Sequence, residues 1–103
     1  MTTLNPLNHE TVVRLRIRGA VMQSGFRGWS QRQADMRGLD GWVRYRMDDQ
    51  SVEMILAGSL GLVQDMIDTC RSGPRLARVD GVEEQPVDPD APIWVGFHQL
   101  PPR

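Results

Sequence analysis

The junction between an alternating strand pattern and a helical pattern, at residues 19–27, most constrains how this chain can fold. Residues 12–18 read Val-Val-Arg-Leu-Arg-Ile-Arg, which places apolar side chains on one face of a strand and arginines on the other. The loop that follows can turn several backbone N–H groups toward one point at a helix start, where the helix dipole favours negative charge. Arg27 adds a planar, charged guanidinium that can donate two parallel hydrogen bonds to one anion. We therefore predict an anion-binding loop formed by Met22, Gln23, Ser24, Gly25, Phe26 and Arg27.

Length and composition limit the class of protein. A chain of 103 residues, 40% apolar and 24% charged, is typical of one globular domain. No apolar run approaches the roughly 18 residues that a membrane helix needs, and the first ten residues lack a signal-peptide pattern, so we expect a cytoplasmic protein. The single Cys70 cannot form an internal disulfide, and His9 and His98 lie far apart. We expect neither a metal nor a cofactor.

Charge is distributed unevenly along the chain. Residues 1–47 carry 8 arginines against 3 acidic residues, and residues 48–103 carry 4 arginines against 10 acidic residues. Every basic residue is arginine, which suits bidentate anion contacts but equally fits a GC-rich genome, the explanation we favour. Cys70 lies on an apolar helix stripe and is interpreted as a core residue. Five acidic residues are interpreted as a solvated edge of the domain and not as a cation site: Asp80, Glu83, Glu84, Asp88 and Asp90.

Hydrophobic periodicity predicts the order βαββαβ followed by a short last strand. The predicted strands are 12–18, 39–46, 52–57, 77–84 and 93–97, and the predicted helices are 26–37 and 59–72, the second ending at Gly73-Pro74. This order predicts a ferredoxin-like α+β sandwich, with two helices on one face of a four- to five-stranded antiparallel sheet. We also expect a bulge near Gly81. The domain is predicted to span residues 12–99, between a flexible segment 1–11 and a frayed tail 100–103.

Two motifs in this chain resemble those of the acylphosphatases, small hydrolases that cleave carboxyl-phosphate bonds without metal or cofactor. The family pattern Gly-x-Val-Gln-Gly-Val-Gly-Phe-Arg is matched at Gly19, Val21, Gly25, Phe26 and Arg27. The second pattern, Gly-Leu-x-Gly-Trp-Val-Arg-Asn, is matched at Gly38, Leu39, Gly41, Trp42, Val43 and Arg44. The resemblance covers residues 12–97 and implies the same fold and an acyl phosphate or a similar phosphate-containing anion as ligand.

The resemblance also implies roles for individual residues. In the family, the loop amides and the motif arginine, here Arg27, hold the phosphoryl group, and the asparagine that ends the second motif orients the attacking water. Tyr45 stands at that position in this chain, and Gln23 replaces a loop glycine that can have a positive φ. Loss of one positioned polar group typically lowers a rate by ~10²–10³. We therefore expect the protein to bind the anion through Arg27 and to hydrolyse acyl phosphates weakly or not at all, with Tyr45 as the altered catalytic position.

Two alternatives remain open from the sequence. The protein can be an active acylphosphatase whose water is oriented by another group. It can also be a non-catalytic interaction module that binds nucleic acid or an acidic protein through an arginine sheet face: Arg14, Arg16, Arg18, Arg44 and Arg46. RNA-binding sheets of this architecture display stacked aromatic residues on their central strands, whereas the first strand here exposes only arginines. We therefore expect no binding of nucleic acid. We also expect a monomer that does not bind membranes.

Overall fold

The alternating and helical patterns form seven elements in the computed structural model, which describes residues 9–88 and 90–103. These elements are β1 (Thr11–Ala20), α1 (Phe26–Met36), β2 (Asp40–Arg46), β3 (Ser51–Gly58), α2 (Leu60–Ser72), β4 (Arg78–Gln85) and β5 (Phe97–Gln99). The predicted order of elements is therefore confirmed. Of the segment predicted to be flexible, residues 1–8 lie outside the described residues, while Thr11 already pairs with Gly58 in the sheet.

The strands form one sheet in the order β4-β1-β3-β2-β5. The first four strands pair in antiparallel fashion, and β5 lies parallel to β2. The ferredoxin-like α+β fold is confirmed, but the prediction of a purely antiparallel sheet is wrong because the sheet is mixed. The reason is geometric. Since β4 and β2 run in opposite directions, the end of β4 and the start of β2 lie at the same edge of the sheet. A chain that leaves β4 at this edge and re-enters the sheet beside β2 therefore runs in the same direction as β2. There the Gly96 N–H donates to Asp40 Oδ1 (2.7 Å), and β5 then runs alongside β2.

The last strand and the tail differ from the sequence prediction. A strand was expected at 93–97, but Trp94 and Val95 are 48% and 66% exposed, and β5 begins at the buried Phe97. The tail continues along β2, since the Leu100 N–H donates to the Val43 carbonyl oxygen (2.9 Å) and the Arg103 N–H donates to the Tyr45 carbonyl oxygen (2.9 Å). The expectation of a frayed tail is therefore wrong, because backbone groups along the free edge of β2 provide it with partners.

Both helices pack on one face of the sheet and enclose the hydrophobic core. Val63, Met66 and Cys70 of α2 are buried at the spacing that the sequence predicted, and the core extends to Phe26 of α1. The expected bulge is present between β1 and β4, where the register shifts from Arg18–Gly81 to Gly19–Val79 and leaves Asp80 unpaired. The bulge bends the edge strand beside the point where β1 enters the 21–25 loop.

Two motif glycines are required by close backbone contacts in the sheet. Gly19 and Gly41 have φ values of 134° and 133°. A Cβ atom at Gly19 would overlap the Arg78 carbonyl oxygen, and one at Gly41 would overlap the Ile55 carbonyl oxygen. These glycines therefore serve strand pairing, which is a structural reason for two of the motif positions.

Asp49, in the turn between β2 and β3, ties this hairpin to β1. Its carboxylate accepts hydrogen bonds from Ser51 Oγ (2.6 Å), Arg16 Nη1 (2.7 Å) and Arg18 Nη1 (3.0 Å). The bond from the Ser51 hydroxyl, together with the two arginines, outweighs partial burial and lowers the pKa of Asp49 to about 2. A carboxylate whose pKa is lower in the folded than in the unfolded chain stabilises the fold above its unfolded-state pKa, and this stabilisation is lost as the pH falls through the folded-state value.

We predict that Asp49→Asn lowers the free energy of unfolding by about 1 kcal/mol near neutral pH, after allowance for solvent screening. Asparagine retains the acceptor for Ser51 but removes the charge that faces the arginines. The difference should shrink below about pH 4 and be mostly lost by about pH 2, which urea unfolding at several pH values would measure. Asp68→Asn, at an exposed site on α2, is the matched control and should have little effect. A difference as large at pH 2 as at neutral pH would contradict the electrostatic explanation.

Candidate functional site

The loop between β1 and α1 is held by contacts within itself. Ser24 is buried, and its Oγ donates to the Val21 carbonyl oxygen (2.6 Å). Gln23 has φ 57°, and Gly25, which caps the start of α1, has φ 76°. Gln23 therefore adopts the positive φ that the family glycine at this position can have, which places a side-chain-bearing residue in a backbone conformation that favours glycine.

The backbone N–H groups of this loop and of the first helical turn are the donors available at the site. The first well-formed helical bond joins the Trp29 N–H to the Gly25 carbonyl oxygen (3.0 Å), and no side chain caps the helix. Among residues 9–88 and 90–103, the N–H groups of residues 22–28 make no well-formed hydrogen bond. Donors left free at a helix N-terminus carry partial positive charge and suit an anionic oxygen.

Arg27 extends from the first turn of α1 toward β2 and the tail. Its guanidinium carbon lies 4.8 Å from the centroid of the Tyr45 ring, and its Nη1 donates to the Leu100 carbonyl oxygen (3.3 Å). Tyr45 is 8% exposed and belongs to the hydrophobic core. The ring face therefore supports the guanidinium by a cation–π contact while the tail orients it. Leu100 is a site residue that sequence reasoning missed, because nothing local in the sequence indicates that the tail follows β2.

The predicted site residues contribute different groups. Phe26 is fully buried and packs edge-on against Trp29, with 5.2 Å between ring centroids, so only its backbone faces the loop. The Ser24 hydroxyl is already engaged by Val21, and the Gln23 side chain is exposed. The structure thus brings Arg27 and Tyr45 into contact and leaves Met22–Phe26 as a source of backbone donors.

A cavity of about 440 Å³ opens beside the loop. Besides Ser24 and Gly25, it is lined by Trp29, Arg32, Pro74, Arg75 and Leu76, and neither Arg27 nor Tyr45 lines it. Sequence reasoning missed this cavity because α1 and the 74–76 turn meet only in the folded chain.

Other predicted groups lie away from the loop or are chemically inert. Cys70 is fully buried, and burial raises the pKa of its thiol to about 12, so it behaves as a core residue. Within the described ranges, no three His, Cys, Asp or Glu side chains come together in a group able to hold a metal ion. In the same part of the chain, every helix is too short or too polar to cross a membrane.

The chain is a small ferredoxin-like α+β domain with a donor-rich loop at the start of its first helix. A family model for acylphosphatase matches residues 13–99. The acylphosphatase of Nitrobacter winogradskyi is 52% identical to this chain over 97 residues, which cover 90% of this chain and 97% of the relative. The acylphosphatase of Nitrobacter hamburgensis is 46% identical over 96 residues, which cover 89% of this chain and 96% of the relative. This chain belongs to the acylphosphatase family.

Solved structures support the same fold. An acylphosphatase from Coxiella burnetii superposes with a TM-score of 0.79 at 22% sequence identity, covering 89% of this chain and 94% of that one. The acylphosphatase from Bacillus subtilis superposes with a TM-score of 0.72 at 27% identity, covering 86% and 97%.

We predict that Gln23→Gly raises the free energy of unfolding by about 0.5–1 kcal/mol, because glycine removes the cost of a positive φ. Gln50→Gly is the matched variant, since Gln50 also has φ 57° but lies in the β2–β3 turn. Urea unfolding should reveal stabilisation in both variants. Phosphate affinity, measured by titration, should change only in Gln23→Gly. Destabilisation of both variants would contradict the assignment of strain at these positions.

Proposed function

We propose that this protein binds acyl phosphates through the loop at residues 22–27 and Arg27, and hydrolyses them slowly or not at all. Its membership of the acylphosphatase family and its similarity to relatives that bear that name support the substrate class. The Tyr45 ring beneath Arg27, at the position of the family asparagine, is the observation on which slow hydrolysis rests. The proposal includes a monomer in the cytoplasm, a compartment that suits a chain with one buried cysteine.

The loop supplies charge stabilisation for the phosphoryl group. In phosphoryl transfer, negative charge spreads over the three equatorial oxygens, and catalysis depends mainly on positioning and on electrostatic stabilisation. The N–H groups of residues 22–28, which have no partner in the part of the chain that the structure describes, and the guanidinium of Arg27 are donors of this kind. A carboxylate is a good leaving group, so the protein needs to supply little beyond this stabilisation and an aligned water.

Besides charge stabilisation, hydrolysis requires a water molecule aligned for attack, and Tyr45 affects this requirement. An asparagine amide offers an acceptor and a donor close to the strand backbone, whereas Tyr45 presents a ring whose hydroxyl lies farther out. That hydroxyl makes no hydrogen bond to any described residue, and the ring itself packs into the core beneath Arg27. Tyr45 therefore acts as a positioning residue that holds the guanidinium while it occupies the space of the water-orienting group.

We predict that Arg27→Ala weakens inorganic phosphate binding by about tenfold to a hundredfold, the contribution of one or two charge-assisted hydrogen bonds. Arg27→Lys should have an intermediate affinity because it retains the charge and loses the planar fork. Calorimetric titration measures both affinities. Arg71→Ala, an exposed arginine on α2, is the control and should bind as the natural protein does. Equal affinities in Arg27→Ala and the natural protein would refute the proposed role of Arg27.

We predict that Tyr45→Asn raises the turnover of benzoyl phosphate by about 10²–10³, because it restores a water-orienting amide. The variant loses a core ring and should be less stable by about 3 kcal/mol, so the assay is run at low temperature with folding checked by circular dichroism. Tyr45→Phe is the matched control, which keeps the ring and should leave turnover unchanged.

The same assay separates the proposal from its rival. Fast turnover by the natural protein that persists in Tyr45→Asn and disappears in Arg27→Ala would establish an active acylphosphatase with a different water-orienting group. Loss of that turnover in Tyr45→Phe would identify the Tyr45 hydroxyl as that group.

A further inference from the structure

The sheet face opposite the helices carries a second concentration of arginines. Glu53 of β3 lies at its centre, directly paired with Arg16 of β1 and Arg44 of β2 in the strand register. Glu53 is 4% exposed, and burial opposes the ionisation of its carboxyl group. Hydrogen bonds from Arg14 Nε (2.9 Å) and Arg46 Nη1 (3.2 Å) outweigh burial, so the pKa of Glu53 lies below its usual value. Glu53 is therefore a buried anion that several arginines share.

One carboxylate does not satisfy the guanidinium groups around it. Arg44 Nε lies 3.4 Å from Glu53 Oε1, too poorly aligned for a hydrogen bond, and this buried donor has no partner among residues 9–88 and 90–103. Arg46 Nε is a second buried donor of this kind. Unpaired buried donors are costly, and guanidinium donors suit oxyanions.

These arginines line a cavity of about 410 Å³, which is within the range of small-molecule sites. Its charged side chains are four arginines, Arg14, Arg44, Arg46 and Arg103, against the carboxylates of Glu53 and Asp88. The Trp42 ring forms part of the wall, with the Arg44 guanidinium carbon 4.5 Å from its centroid. The cavity is therefore polar, positively charged and bordered by an aromatic ring.

The titration of Arg44 agrees with this excess of positive charge. Burial lowers its pKa most, Glu53 opposes that effect, and the neighbouring Arg103, Arg46 and Arg14 lower the pKa further. An added anion would offset both the burial and the repulsion between the arginines.

The shape of the cavity favours a small anion over a nucleic acid. The side chains of Arg44, Arg46 and Arg14 are only 18%, 24% and 29% exposed. Trp42 is 5% exposed, so it offers no platform for a stacked base. A nucleic-acid backbone needs protruding cations, whereas a compact oxyanion can enter a recess.

We propose that this cavity binds a small anion bearing phosphate or carboxylate groups, held mainly by Arg44 and Arg103. The site is separate from the loop at residues 22–27, because Arg44 and Tyr45 are neighbours on β2 and so point to opposite faces of the sheet. It requires no reaction and does not depend on acyl phosphate hydrolysis.

The test follows the indole N–H signal of Trp42 by NMR while the full chain carrying Arg27→Ala is titrated with inorganic phosphate and, separately, with citrate. We expect a saturable shift of this signal with at least one of the two. Arg44→Gln and Arg103→Gln, each added to that background, should weaken the binding by about tenfold, as expected for loss of a charge-assisted hydrogen bond. Arg103 lies at the exposed end of the tail, so that variant tests the site even if Arg44→Gln fails to fold.

Arg71→Gln, at the exposed arginine of α2, is the matched control and should leave the affinity unchanged. A shift with phosphate alone would assign a phosphate-bearing ligand, and a shift with citrate alone would assign a carboxylate-bearing one. An unmoved Trp42 signal, a shift that does not saturate, or equal weakening by Arg71→Gln would overturn the proposal. Because the signal reports on the opposite sheet face, failure of the loop to bind phosphate would not affect this result.

Discussion

The alternation of side chains along β2 is the constraint on which both regions of interest depend. Val43 and Tyr45 face the helices and join the core, while Trp42, Arg44 and Arg46 face the other side of the sheet. A shift of β2 by one residue would exchange these two sets. The register between β2 and β3 therefore places Tyr45 beneath Arg27 and, at the same time, Arg44 beside Glu53.

The contact between Arg27 and Tyr45 affects both the binding of an anion and, in our proposal, the rate of acyl phosphate hydrolysis. A guanidinium held between a ring face and a main-chain carbonyl is preorganised, and preorganisation is what electrostatic stabilisation of a phosphoryl group requires. The ring that provides this support also lies where, in our proposal, an amide would orient water. One residue can thus preserve the affinity of the site for anions and slow the reaction there.

The other face of the sheet shows how the fold accommodates a buried charge. Removal of one partner from a buried ion pair typically costs several kcal/mol, because the remaining charge is left without compensation. Glu53 avoids this cost by accepting from Arg14 and Arg46, yet the same arrangement crowds several guanidinium groups around a single carboxylate. The excess of cations around Glu53 is therefore a property of the ion-pair network that covers the sheet.

Local pattern was sufficient for much of the fold and for part of the site. Alternation in β1 and the apolar spacing of α2 predicted their faces, and the positions of Gly19, Gly25 and Arg27 predicted the loop, since each depends on residues close in sequence. The motif pattern also singled out Tyr45, which the structure places beside Arg27. The start of β5 was misplaced because the apolar residues Trp94 and Val95 resemble a strand but face solvent.

The sequence by itself determined the order of the elements and the two faces of β1 and β2, because these follow from hydrophobic periodicity over a few residues. Only the tertiary structure decided that β5 runs parallel to β2, that Leu100 orients Arg27, and that Arg103 joins Arg14 around a shared cavity. Those contacts join residues far apart in the chain. Their geometry depends on how the whole sheet and its edges assemble, which no local pattern encodes.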